Sequence, residues 1–126
     1  MVEILVVDDN LQLRDTLRTI LNKRPGFCVT GEAADGIAAS QLVQTLRPTV
    51  VLMDVGMARM DGVEATRRIR ALLPNTVVIG MSCHNSREVE VAMRAVGAHA
   101  FLPKELAPEK TFDAIAQQLP QEQAPQ

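Results

Sequence analysis

Short, unbroken runs of apolar and mostly β-branched residues alternate along this chain with segments whose apolar residues recur at helical spacing, and few folds accept that alternation. Ile4 to Val7, Val50 to Met53 and Val77 to Ile79 contain no polar side chain at all. A strand with one wetted face alternates polar and apolar residues, so runs like these suit strands covered by helices on both faces of a parallel sheet. Cys28-Val29 and Ala100 to Leu102 are weaker strand candidates and suit positions nearer the sheet edge.

The intervening segments read as helices. Leu13, Leu17, Ile20 and Leu21 form one stripe; Ala38, Leu42 and Leu46 a second; Val63, Thr66, Ile69 and Leu73 a third. Val89, Met93 and Val96, then Phe112, Ile115, Ala116 and Leu119, complete five. Pro25-Gly26, Pro48, Pro74-Asn75 and Gly97 punctuate the helix ends, and the expected order is a βα unit repeated five times.

With 126 residues, 47% of them hydrophobic, the chain has material for one packed domain and no room for a second full one. That domain is expected over residues 1–119, with the polar, proline-bearing stretch 120–126 as a tail or the start of a linker. A formal charge of −2 supplies no basic excess for nucleic-acid phosphates, and three Phe without Trp or Tyr supply no stacking platform. Direct nucleic-acid binding by this segment is therefore not expected. Cys28 and Cys83 lack metal-ligand spacing and read as reduced thiols, and neither a signal peptide nor a membrane span is evident, so a cytoplasmic location is expected.

In an open parallel sheet, functional groups gather beyond the carboxyl ends of the strands. Asp8 and Asp9 follow the first candidate strand, Asp54 the third, Ser82 the fourth and Lys104 the fifth. Three carboxylates against one ammonium leave the cluster net negative and self-repelling unless protons or a divalent cation intervene. Mg²⁺ matches hard oxygen ligands of this kind. Asp54, at the end of the most apolar strand, is the candidate nucleophile toward phosphorus; Lys104 would balance phosphoryl charge as a point cation and the Ser82 hydroxyl would donate a hydrogen bond. No P-loop or dinucleotide-binding glycine string is present, which counts against a nucleotide-binding enzyme.

Five pieces occur in order at compatible spacing: Leu-Val-Val-Asp-Asp-Asn (5–10), Leu-Met-Asp-Val-Gly-Met (52–57), Met-Asp-Gly-Val-Glu-Ala (60–65), Ser82, and Phe-Leu-Pro-Lys-Glu (101–105). Together they resemble the receiver domain of bacterial two-component response regulators, the CheY-like superfamily, over about residues 3–119. The resemblance implies a flavodoxin-like three-layer α/β sandwich with a five-stranded parallel sheet in the order 2-1-3-4-5. It implies phosphotransfer to Asp54 from a sensor histidine kinase or phosphotransfer protein. Mg²⁺ would be held by Asp9, Asp54 and the backbone carbonyl of Gly56, with Asp8 acting through water. Lys104 matches the lysine of that family, and Ser82 and Phe101 match its switch pair, in which hydroxyl and aromatic turn inward together. Homodimerisation on phosphorylation is a further implication.

The chain also departs from the family. Ala58, followed by Arg59, stands where proline is usual and implies a more mobile loop. Phe101 lacks a hydroxyl, so its outward state should be less favourable than a tyrosine's. Lys104 is followed by Glu105 and preceded by Pro103, which resembles regulators with a LuxR or NarL-type helix-turn-helix output. Gly56 and His84 occupy positions that in the family tune the lifetime of the aspartyl-phosphate. Asp61-Gly62 is expected to shape the turn into the third helix, Met60 and Met93 are expected in the core, and Cys83 is read as a small packed residue. The resulting expectation is a self-phosphorylating and self-dephosphorylating switch rather than a turnover enzyme. A degenerate receiver acting by protein contact alone and a small aspartyl-phosphate phosphohydrolase are the alternatives.

Overall fold

A computed structural model describes residues 1–57, 61–83 and 87–119. Five strands and five helices alternate: β1 (Val2–Val7), α1 (Leu11–Asn22), β2 (Phe27–Ala33), α2 (Gly36–Leu46), β3 (Val50–Asp54), α3 (Gly62–Leu72), β4 (Val77–Ser82), α4 (Arg87–Ala95), β5 (Ala100–Pro103) and α5 (Ala107–Gln118), the last preceded by one 3₁₀ turn, Lys104–Leu106. All strand pairs are parallel and the order is β2-β1-β3-β4-β5, as the resemblance implies. Chain order reverses direction at β1, so the carboxyl ends of β1 and β3 face a common crevice.

The two-residue period of each strand separates the core into two layers. Leu5, Val7, Val51, Met53 and Val78 face α2, α3 and α4, where Ala39, Val43, Ala65, Ile69 and Met93 are buried. Val2, Ile4, Val6, Val50, Leu52, Ile79 and Met81 face α1 and α5, packing on Leu17, Leu21, Ala107 and Ile115. Every residue of β3 and β4 is buried, which is why those segments tolerate no polar side chain before their ends. A fully buried aliphatic side chain contributes about 1.5–3 kcal/mol, so this central pair is the rigid platform on which Asp54 stands.

The sequence-based elements hold with two adjustments. β2 runs through Ala33, well beyond Cys28-Val29. Thr30, Gly31 and Glu32 disguise it in sequence, but an edge strand needs only one ladder, here to β1, and its half-exposed positions accept polar side chains. In α2 the fully buried line is Ala39, Ser40 and Val43, with Ala38, Leu42 and Leu46 packed partly buried beside it. The predicted stripe packs against the core, and Ser40 can be buried beside it because its hydroxyl donates to the Gly36 carbonyl at 2.9 Å. Ala58, Arg59, Met60, His84 and the tail 120–126 lie outside the described residues; Met93 is fully buried as expected.

Helix starts follow side-chain chemistry. Asn10, Asp35 and Asp61 accept hydrogen bonds from the amides of Leu13, Ala38 and Glu64 at 3.1, 2.8 and 2.9 Å, each satisfying an otherwise unpaired donor. Gly97 ends α4 at φ +107°, a conformation glycine adopts without a Cβ penalty.

Candidate functional site

The three acids converge because strand parity brings them to one side. Asp54 continues the Val50, Leu52 alternation, and Asp8 extends the Val2, Ile4, Val6 alternation past the end of β1. β1 and β3 are hydrogen-bonded neighbours, with Val7 opposite Met53, so the two carboxylates emerge side by side. Ligand oxygens of Asp8, Asp9 and Asp54 all lie within 4.8 Å of one another. Asp8 is fully buried and Asp54 is 2% exposed, whereas Asp9 is exposed.

Each buried carboxylate is locked locally by one oxygen. Asp8 Oδ1 accepts from the Asn10 amide at 2.8 Å and Asp54 Oδ1 from the Gly56 amide at 2.9 Å, both across two residues. The other oxygens, Asp8 Oδ2 and Asp54 Oδ2, lie 2.9 and 3.0 Å from Lys104 Nζ. Each is thus paired with the same ammonium by a single contact, and a carboxylate oxygen with two lone pairs keeps acceptor capacity beyond it. Lys104, 13% exposed, is delivered by the 3₁₀ turn that starts directly after β5.

Electrostatics follow from this packing. Burial raises the Asp8 carboxyl above its ordinary value near 3.8, against the pull of Lys104 and the Asn10 amide, and Asp54 adds to the rise. Burial pulls the Lys104 ammonium down, but the hydrogen bonds and charges of Asp8 and Asp54 outweigh it and hold its pKa above the ordinary value. The lysine is thus a fixed cation at neutral pH.

Beside these groups lies a cavity of about 240 Å³ lined by Asp9, Asp54, Gly56, Ser82, Cys83 and Lys104. Ser82 is buried at the end of β4, and Cys83 is exposed on the rim rather than packed, since it has already left the sheet. Phe101 does not reach the cavity. It pairs with Gly80, two residues before Ser82, and is partly buried against the layer of core that includes Met93. A Cβ on residue 80 would stand 2.8 Å from Phe101 Cδ1, so the missing side chain of Gly80 is what admits the ring. A second cavity, about 290 Å³, opens around Arg47, Thr49, Pro74 and Thr76, away from all three acids.

One feature of the site escaped the sequence reading. Arg14 Nη1 donates to the Asp8 carbonyl oxygen at 2.6 Å and Arg14 Nε to Glu32 Oε1 at 3.1 Å. Arg18 also pairs with Glu32. The sequence signal for it is Arg14 and Arg18 spaced by four residues beside the buried Leu17 and Leu21; their partner Glu32 lies in the Thr30-Gly31-Glu32 segment of β2, which carries no apolar period.

A five-stranded parallel sheet in this order, with Asp9, Asp54, Ser82 and Lys104 lining one cavity and Asp8 paired to that lysine, has the architecture of a receiver. The chain belongs to the response regulator receiver domain family, whose model matches residues 4–116. It is 44% identical over 119 residues to a protein-glutamate methylesterase/protein-glutamine glutaminase of Myxococcus xanthus, covering 92% of this chain and 33% of that protein. It is 33% identical over 114 residues to the transcriptional regulatory protein YxjL of Bacillus subtilis, covering 90% of this chain and 52% of that one. Among solved structures, CheY of Borrelia burgdorferi, crystallised in a CheX-CheY-BeF3-Mg²⁺ complex, superposes with a TM-score of 0.85 at 26% identity, covering 91% of this chain and 87% of that chain. The chain thus spans between a third and about half of the length of these two curated relatives. No helix among the described residues is long and apolar enough to cross a membrane.

Proposed function

We propose that this receiver accepts a phosphoryl group on Asp54 from the phosphohistidine of a sensor kinase or phosphotransfer protein, and that the modified domain presents a changed surface to an output partner. The observation that carries this reading is the Lys104 ammonium seated between Asp8 and Asp54, beside Asp9, in one small cavity. A carboxylate oxygen of Asp54 attacks phosphorus; the new O–P bond forms as the N–P bond to the donor imidazole breaks, and the bonding pair leaves with the imidazole nitrogen.

The chain's own groups divide the work. The Gly56 amide holds Asp54 Oδ1 and so fixes the carboxylate plane relative to an incoming phosphorus. Lys104, already beside Asp54 Oδ2, offsets the negative charge of the transferred group, and Ser82, which lines the same cavity, donates to one of its oxygens. The donor set fits Mg²⁺: three close carboxylates, two of them sharing a single ammonium, stand beside a cavity that Asp9 and Asp54 line. Asp9, Asp54 and the Gly56 carbonyl would hold the ion and Asp8 would act through water; when bound it supplies charge neutralisation for the phosphoryl oxygens. The crystallised Borrelia burgdorferi relative contains Mg²⁺ and BeF3, which supports this chemistry here.

Residues 1–119 are proposed as the phosphoacceptor unit and 120–126 as a tail or linker start. The output is proposed to be transcription if a helix-turn-helix domain follows in the natural chain; the methylesterase relative makes an enzymatic output the second reading. Phe101, packed against Gly80 on the α4 side, is the proposed relay from Ser82 to the surface of α4, β5 and α5, the proposed dimer face. With Mg²⁺ and a small phosphodonor, the intact protein should gain one phosphoryl mass, Asp54→Asn should not, and chelation should abolish the gain. Absence of any gain favours a contact-only receiver, and multiple turnover of a phosphate ester favours a hydrolase.

A further inference from the structure

We infer that Arg14 is a positioning residue for the acidic pair, acting by clamping the Asp8 carbonyl between α1 and the edge strand β2. The inference rests on the phosphoacceptor reading for its functional meaning but on geometry for its substance. Asp8 is held at four points: its amide donates to the Ala33 carbonyl of β2 at 3.0 Å, its carbonyl accepts from Arg14 Nη1 at 2.6 Å, Oδ1 accepts from the Asn10 amide, and Oδ2 meets Lys104. Of these, the Arg14 contact alone fixes the peptide plane that joins Asp8 to Asp9. Beyond that plane the chain carries the exposed Asp9 carboxylate into the cavity.

Arg14 is itself restrained. Its side chain is 15% exposed, and its Nε is pinned 3.1 Å from Glu32 Oε1, so the planar fork spans from the edge strand to the acidic loop. A lysine has no second nitrogen with which to hold both ends. Glu32 has a second role: it neutralises a cation that otherwise sits within one residue of the metal-binding acids, and Arg18 shares the carboxylate from the next turn of α1. Charge and shape are therefore separable. Glu32→Gln keeps an oxygen for Arg14 Nε and removes the charge, whereas Arg14→Lys keeps the charge and removes the fork.

The consequences differ for the two substitutions. Loss of the clamp frees the Asp8–Asp9 peptide to rotate, so the Asp9 carboxylate spends less time in register with Asp54. Arg14→Ala and Arg14→Lys should each weaken Mg²⁺ binding about tenfold. Glu32→Gln, with the clamp retained but its cation uncompensated, should weaken it only about twofold to threefold. A merely structural role would instead rank the variants by thermal stability.

The test uses the full 126-residue chain and NMR, with Mg²⁺ alone as the titrant and the amides of Asp9, Asn10 and Gly56 as reporters. Hydrogen exchange of the Asn10 amide is measured on the same samples without divalent cation. The expected results are the affinity order above and roughly tenfold faster Asn10 exchange in both Arg14 variants, with melting temperatures that do not follow that order. Unchanged Asn10 exchange in Arg14→Ala, or full Mg²⁺ affinity in Arg14→Lys, overturns the clamp. If the parent protein itself fails to bind Mg²⁺, the phosphoacceptor reading falls, while the exchange comparison still decides whether Arg14 positions the loop.

Discussion

Replacing Lys104 with methionine keeps the aliphatic stem that fills the space under the cavity and deletes the charge between Asp8 and Asp54. The remaining carboxylate oxygens lie no more than 4.8 Å apart, and at an effective dielectric constant of ~20 two such charges repel by at least about 3.5 kcal/mol. Removing one partner from a buried charge cluster costs about 3–5 kcal/mol by general experience, which agrees in size. The expected loss at pH 7.5 without divalent cation is therefore about 3–4 kcal/mol, a large share of the stability of a domain this size. The loss depends on pH with a definite sign. Asp8 already has a folded pKa raised above 3.8 by burial, and Lys104 opposes that rise, so its removal raises the value further. A group of that kind stabilises the fold below its unfolded pKa and loses the contribution as pH climbs through the folded one. The deficit should accordingly shrink as pH is lowered from 7.5 toward 5. Mg²⁺ should bind the variant about tenfold more tightly, equivalent to about 1.4 kcal/mol, because the site has lost a competing cation, while phosphoryl uptake falls. Urea denaturation followed by far-ultraviolet circular dichroism at both pH values, with and without Mg²⁺, measures all but the last. A loss under about 1 kcal/mol, or an equal loss at pH 5 and 7.5, refutes the reasoning.

Gly62→Ala would drive a Cβ into the Asp54 carbonyl and to 2.7 Å from Val55 Cα; because both are backbone, the strain of about 1–3 kcal/mol cannot be relieved by a rotamer change, and the urea midpoint and the phosphoryl uptake rate should fall together. Gly80→Ala would bring a Cβ to 2.8 Å from Phe101 Cδ1 and 2.9 Å from Met93 Cε. A destabilisation of about 1–2 kcal/mol is expected, and Phe101→Leu in the same chain should recover most of it, with a coupling above about 0.5 kcal/mol in a double-mutant cycle; strictly additive effects would show that the ring does not depend on the glycine.

Most of the architecture was legible because its causes are local. Val50 to Met53 and Val77 to Ile79 have no polar residue, so only a doubly covered strand accommodates them, and both became fully buried strands. Asp54 was legible for the same reason, since a carboxylate placed directly after such a run is costly unless it has partners. Edge strand β2 was less legible. Its Thr30-Gly31-Glu32 segment has no apolar period, and only pairing with β1 makes it a strand. Arg14 and Glu32 were illegible as a pair, because their meeting requires β2 to run far enough to place Glu32 opposite Val6. The gap beside Gly80 likewise depends on Phe101 arriving from a neighbouring strand.

The sequence alone determined the alternation of strands and helices, the number of layers and the identity of the polar residues at the strand ends, because hydrophobic period and turn chemistry act over a few residues. Tertiary structure decided which of those polar residues touch. The order β2-β1-β3-β4-β5 puts Asp8 beside Asp54 and brings Lys104, fifty residues away from Asp54, to 3.0 Å from its carboxylate. Charge interactions depend on distance and burial, and neither is a property of residue order along the chain.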